Sequence, residues 1–135
     1  MANAQLSGRC LCGAVRYECD APTSVPCFCH CQSCRRASGA HAVAWMTVDR
    51  RKLRFLQGTP QAIRSSEQVT RTFCGHCGTP LTYRHEQRYG DSIDVTVCTL
   101  EDPGRVTPAD HIWMEDAVAW DRPADTLPQH RRQRG

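Results

Sequence analysis

A chain of 135 residues, 40% hydrophobic and 23% charged, has the make-up of a single globular domain that can bury a modest core without covalent staples. Its net charge of +3 is too small to point to nucleic acid, and the closing HRRQRG places residues 129–135 in a solvated basic tail behind a core of about residues 7–128. No apolar run follows the opening residues and no stretch of ~18 apolar residues occurs later, so neither a secretory leader nor a membrane span is expected, and a cytoplasmic location is. Ten cysteines in a reducing compartment should then be thiols or metal ligands rather than disulfides.

In chain order, AVRYEC (14–19) alternates Val15, Tyr17 and Cys19 against Arg16 and Glu18, the pattern of a half-buried strand. A short helix is expected from about Cys31 to Ser38, with Gly39 as its stop. HAVAWMTV (41–48) is apolar on both faces, as in a covered strand. LRFLQ (53–57), VTRTF (69–73), LTYRH (81–85) and SIDVTVCTL (92–100) read as further strands, divided by turn signals at Gly58-Thr59-Pro60, Gly78-Thr79-Pro80 and Gly90-Asp91. Past Asp102-Pro103-Gly104 the chain is punctuated by proline and reads as extended, with Trp113 and Trp120 as core or cover residues.

The cysteines fall into two constellations. GRCLCG supplies Cys10 and Cys12, and FCGHCG supplies Cys74 and Cys77, two glycine-flanked pairs more than sixty residues apart. Two close pairs joined by a long loop are the usual source of a closed four-thiolate zinc site, and the glycines permit the positive φ of a tight turn. His76, inside the second pair, reads as a solvent-facing turn residue. The second constellation, Cys29, Cys31 and Cys34, leads into the short helix, with Cys29 curling back from a loop. Cys31 and Cys34, three apart, share a helical face. That gives three ligands for a second metal, either open at the fourth position or closed by Cys27, Cys98 or Cys19, with His30 and His41 as other candidates.

GRCLCGAVRYE, CHCQSCRRASG, FCGHCGTPL, the DP at 102–103, the HIW at 111–113 and a closing LP at 127–128 occur in that order. This pattern resembles the glutathione-dependent formaldehyde-activating enzyme family, whose domain also occurs in centromere protein V. The resemblance implies an Mss4-like, mainly antiparallel β tent with one short helix. It implies two zinc ions: a structural one on Cys10, Cys12, Cys74 and Cys77, and a second on Cys29, Cys31 and Cys34 whose fourth position stays open to water or a thiol. The activity implied is carbon–sulfur lyase chemistry on adducts of a small thiol, such as glutathione, with a small aldehyde, such as formaldehyde. Two departures from the pattern are Cys27, an extra thiol, and the Cys98 and Glu101 of VCTLEDP.

In that chemistry the three catalytic cysteines hold a metal that brings an exogenous thiol to its thiolate form. Arg35 and Arg36 are candidates for a substrate carboxylate, Arg35 the nearer by sequence. No His–Asp pair stands out as a base. Two other readings compete with the enzyme: a zinc-stapled binding module with a closed second site, and a zinc–thiolate redox sensor that uses Cys27 as a resolving thiol.

Overall fold

The structure, a computed structural model, describes residues 5–134; residues 1–4 and Gly135, the end of the basic tail, lie outside it. The strands are β1 (Leu6–Arg9), β2 (Arg16–Cys19), β3 (Cys27–Cys29), β4 (Val43–Asp49), β5 (Arg54–Gln57), β6 (Gln61–Ser66), β7 (Val69–Phe73), β8 (Pro80–His85), β9 (Ser92–Thr96) and β10 (Asp110–Ile112). They form a three-stranded sheet in the order β1-β2-β5 and a seven-stranded sheet in the order β10-β3-β4-β9-β8-β7-β6. The fold is therefore mainly β and antiparallel, as expected; β10 on β3 is the parallel pair. The single α-helix among the described residues, α1 (Gln32–Ser38), begins one residue later than expected because Cys31 is its N-cap. Gly39 ends it in the left-handed conformation, at φ 71°.

Register separates the large sheet into two faces. Met46 pairs with Val95 and Val48 with Ile93, and these pack with Leu6, Tyr17 and Cys19 of the small sheet in the main core. The alternate residues line up across the sheet on the other face: Thr47 with Asp94, Asp94 with Tyr83, and Tyr83 with Arg71. Cys27 pairs with Trp45 and Cys29 with Val43 on that same face. Alternation of period two thus sends apolar side chains to the core and polar and aromatic ones to the far side. Gly8 marks where the small sheet is tightest, since a Cβ there would meet the Tyr17 ring at 2.4 Å.

Several expectations are corrected. The strand expected over 92–100 stops at Thr96, where a 3₁₀ turn, Val97–Thr99, begins and Thr99 Oγ1 donates to the Thr96 carbonyl at 2.9 Å. Cys29 ends a strand rather than curling from a loop. Trp113 is half-buried against the second cysteine cluster, but Trp120 is 74% exposed, its ring set edge-to-face with His41. The tail is not simply solvated. The N–H groups of Trp113, Met114 and Glu115 donate to the carbonyls of Arg132, His130 and Arg131. Arg134 grips Asp110 with two nitrogens at 2.6 and 2.7 Å. The reason is burial: the Asp110 side chain is only 7% exposed, and a carboxylate withdrawn from water requires a cation. The side chains of Arg131 and Arg132, paired to Glu115, do face solvent.

The Arg134 guanidinium holds the Asp110 carboxyl below its usual range. Its folded pKa being depressed, the pair stabilises the protein above the ordinary carboxylate pKa, and that stability is lost as pH falls through the folded value. Arg134→Ala should cost about 1–3 kcal/mol in urea unfolding at neutral pH, by leaving a buried carboxylate with only the His130 ring, 3.3 Å away, beside it. The gap between variant and wild type should narrow on acidification below pH ~4; a gap independent of pH would contradict the ion-pair account.

Candidate metal centres

The turns that follow β1 and β7 bring Cys10, Cys12, Cys74 and Cys77 together, with all four sulfurs within 4.8 Å of one another. The Cys10 and Cys12 sulfurs are 3.6 Å apart and those of Cys12 and Cys74 are 3.8 Å apart. A tetrahedron with zinc–sulfur bonds of about 2.3 Å has edges of about 3.8 Å, so the donor set fits that ion. Both turns are built alike: Gly13 N–H donates to the Cys10 carbonyl and Gly78 N–H to the Cys74 carbonyl, at φ 79° and 82°. Gly75, the other glycine of the second turn, does not use positive φ. The N–H of Val15 donates to Cys10 Sγ at 3.3 Å, and those of His76 and Cys77 donate to Cys74 Sγ at 3.4 and 3.5 Å. The bond from Val15 favours the thiolate of Cys10. His76 faces solvent, as expected.

Cys29, at the end of β3, Cys31, at the N-cap, and Cys34, in the first turn of α1, form a second cluster within 4.8 Å. Cys34 N–H donates to Cys31 Sγ at 3.2 Å, and Arg71 Nη2 lies 3.9 Å from Cys34 Sγ. Three adjoining sulfurs compete for charge. Hydrogen bonds first from Cys29 and then from Cys34 hold the Cys31 thiol down to about 2, while the same contacts push Cys29 far up. Three soft thiolate donors suit zinc.

Among the described residues no fourth His, Cys, Asp or Glu joins this group. The candidates for closing it lie elsewhere. Cys27 sits in β3 opposite Trp45, its thiol pushed up to about 12 by burial. Cys19 is in the main core and Cys98 is exposed. His41 is exposed beside Asp121. His30 turns its ring to His111, whose second nitrogen meets Asp125. That His–Asp arrangement was not legible in the sequence, because its members lie 81 and 14 residues apart.

The cluster lines a cleft of about 930 Å³. Trp45 and Tyr83 floor it, with ring centroids 6.0 Å apart, and Arg71 stacks 4.8 Å over Tyr83. Arg36, Arg88 and Arg134 also line it; Arg35, the nearer candidate by sequence, does not. Farther along, Tyr89 donates to Asp94 Oδ2 at 2.8 Å and Thr47 donates to the other oxygen. Burial pushes the Asp94 carboxyl up despite both bonds.

A family model described as glutathione-dependent formaldehyde-activating enzyme matches residues 5–116. None of the curated proteins compared with the chain matches it. A crystal structure of a Rhodobacter sphaeroides protein is similar at a TM-score of 0.60 and 20% identity, over 92% of this chain and 98% of that one. That likeness speaks for the fold.

Losing one ligand of the four-cysteine cluster should destabilise the whole domain, because metal held there contributes folding free energy. Cys74→Ser is expected to melt at least about 10 °C lower or to become insoluble; unchanged melting with unchanged zinc content would remove this cluster from the structural role. Mild chelation of the wild type should remove one zinc per chain, from the three-cysteine cluster, while the circular dichroism spectrum persists. Loss of both metals together with unfolding would show the second cluster to be structural too.

Proposed function

The chain belongs to the glutathione-dependent formaldehyde-activating enzyme family, and from that premise we propose that it is a carbon–sulfur lyase-type enzyme acting on adducts of a small thiol with an aldehyde. One observation carries the reading: three converging thiols with no fourth ligand from the described residues, lining an open cleft. On this reading Cys10, Cys12, Cys74 and Cys77 hold a structural zinc, and Cys29, Cys31 and Cys34 hold the reactive one. A zinc ion held by Cys29, Cys31 and Cys34 would supply a soft Lewis acid that favours the thiolate form of an exogenous thiol at neutral pH.

The chain's own residues then bind and orient. Arg71, fixed over Tyr83, keeps a positive charge beside the cysteine cluster. Arg36 and Arg88, exposed at the cleft, are free to meet a carboxylate of the thiol carrier. Trp45 and Tyr83 give the carrier an apolar floor, which lowers the local dielectric around the reacting sulfur. In the addition a sulfur electron pair forms the bond to the aldehyde carbon, the C=O pair moves to oxygen, and the thiol proton ends on the new hydroxyl by way of solvent. Cleavage runs the same steps backwards, with no net oxidation. Holding thiolate and aldehyde together replaces a dilute encounter with a positioned one. The redox-sensor alternative would require Cys27 as a thiolate, and burial keeps that thiol protonated.

The domain is read as one unit working in the cytoplasm on small thiols such as glutathione. Exchange NMR on protein, glutathione and formaldehyde should show adduct exchange faster than in buffer, and Cys31→Ser should return it to the buffer rate. A panel of other thiols and aldehydes tests the carrier. If no pair exchanges faster than in buffer, the lyase reading fails.

A further inference from the structure

His30 stands between two cysteines of the second cluster, yet its ring points away from them. It is 1% exposed, with Nε2 2.9 Å from Nδ1 of His111 and Nδ1 3.3 Å from Asp121 Oδ2. His111, 4% exposed, presents its Nε2 to both oxygens of Asp125 at 3.1 Å and stacks on Phe28 at 5.0 Å. The main chain follows the same path: His30 N–H donates to the Ile112 carbonyl at 3.0 Å, and β10 runs parallel to β3. A carboxylate–imidazole–imidazole chain, Asp125–His111–His30, therefore runs behind the cysteines, from the segment after β10 to the β3–α1 junction.

We propose that His111 is a positioning residue for the three-cysteine site, acting through His30. In extended backbone, side chains i and i+2 point to one side and i+1 to the other. Cys29 ends a strand and Cys31 has φ −61° and ψ 151°, so the two sulfurs can converge on Cys34 only while His30 occupies the opposite side. His30 is held there because its buried Nε2 is hydrogen-bonded to His111, while Nδ1, 3.3 Å from Asp121 Oδ2, makes no hydrogen bond, and losing the partner of a second buried ring nitrogen is costly. His111 is itself clamped by Asp125. Anchoring one imidazole thus sets the direction of two metal ligands without touching the metal, as outer partners commonly do. Asp125, which clamps His111, lies beyond residues 5–116 that the family model matches.

The inference rests on the reading that Cys29, Cys31 and Cys34 hold a metal, and the test uses full-length protein loaded with cobalt(II), whose thiolate absorption reports each site. His111→Ala should weaken cobalt binding at the three-cysteine site by about 10–100-fold and alter its visible spectrum, leaving the four-cysteine site as in wild type. His111→Asn, which keeps a hydrogen-bonding atom near Nδ1, should recover most of that affinity. Should His111→Ala fail to fold, Asp125→Asn serves instead, expected to weaken the second site alone. Two sites weakening in parallel, or variants with wild-type affinity and spectrum, would overturn the inference. A wild type that takes up a single cobalt would remove the second metal site, and this inference with it.

Discussion

The convergence of four sulfurs between the two sheets is the constraint on which the rest of the structure depends. Cys10 and Cys12 leave the end of β1 in the small sheet, and Cys74 and Cys77 leave the end of β7 in the large one. Cys12 and Cys74, 62 residues apart in sequence, bring their sulfurs to 3.8 Å. Apolar packing alone does not choose that geometry. Hydrogen bonds, above all from Thr79, hold the Cys77 thiol down to about 5, so negative charge gathers where the sulfurs meet. A divalent cation bound there would convert that repulsion into a cross-link between the sheets. Buried Cys10 and Cys74 belong to the main core, so the cross-link and the hydrophobic packing form one continuous body.

Fixing the sheets also divides the labour between the two faces of the larger one. Its inner face is spent on Met46, Val48, Ile93 and Val95. Its outer face, relieved of core duty, carries Trp45, Tyr83, Asp94 and Arg71 in register toward the three-cysteine cluster. The cluster sits where β3 gives way to α1, and two rules of local structure operate there within three residues. Extended alternation aligns Cys29 with Cys31, and capping geometry turns the Cys31 sulfur to the Cys34 N–H. A helix of only seven residues suffices because its task is to present one sulfur, Cys34, rather than a long apolar stripe.

The parts legible in the sequence were those set by short-range rules. The spacing of the cysteine pairs, the glycine after Cys77, the stop at Gly39 and the alternation around Tyr17 each depend on neighbours within a few residues. β6 was missed because its six residues are all exposed and carry no apolar alternation; it is held by pairing with β7. β10 was missed for the opposite reason. Asp110, His111 and Ile112 are all buried, and two of them are polar, stabilised by partners far along the chain. The choice between Arg35 and Arg36 turned on helix rotation, which sequence distance to the metal ligands does not give. Trp120 was read as cover because of its size, but it is 74% exposed beside the ring of His41.

The end of the chain contributes part of the cleft wall. All seven clustered cysteines fall within the residues matched by the family model. Gln133 and Arg134, which line the cleft, fall beyond them, as does Asp121 behind the metal loop. The tail reaches the cleft because buried Asp110 draws Arg134 inward, and Asp110 pairs in register with Cys27, two residues from the first ligand of the open cluster. One buried carboxylate thus connects the end of the chain to the strand that carries Cys29. A change in the tail can reshape the cleft at Arg134 while leaving the cysteine geometry intact, and a change at Asp110 disturbs both at once.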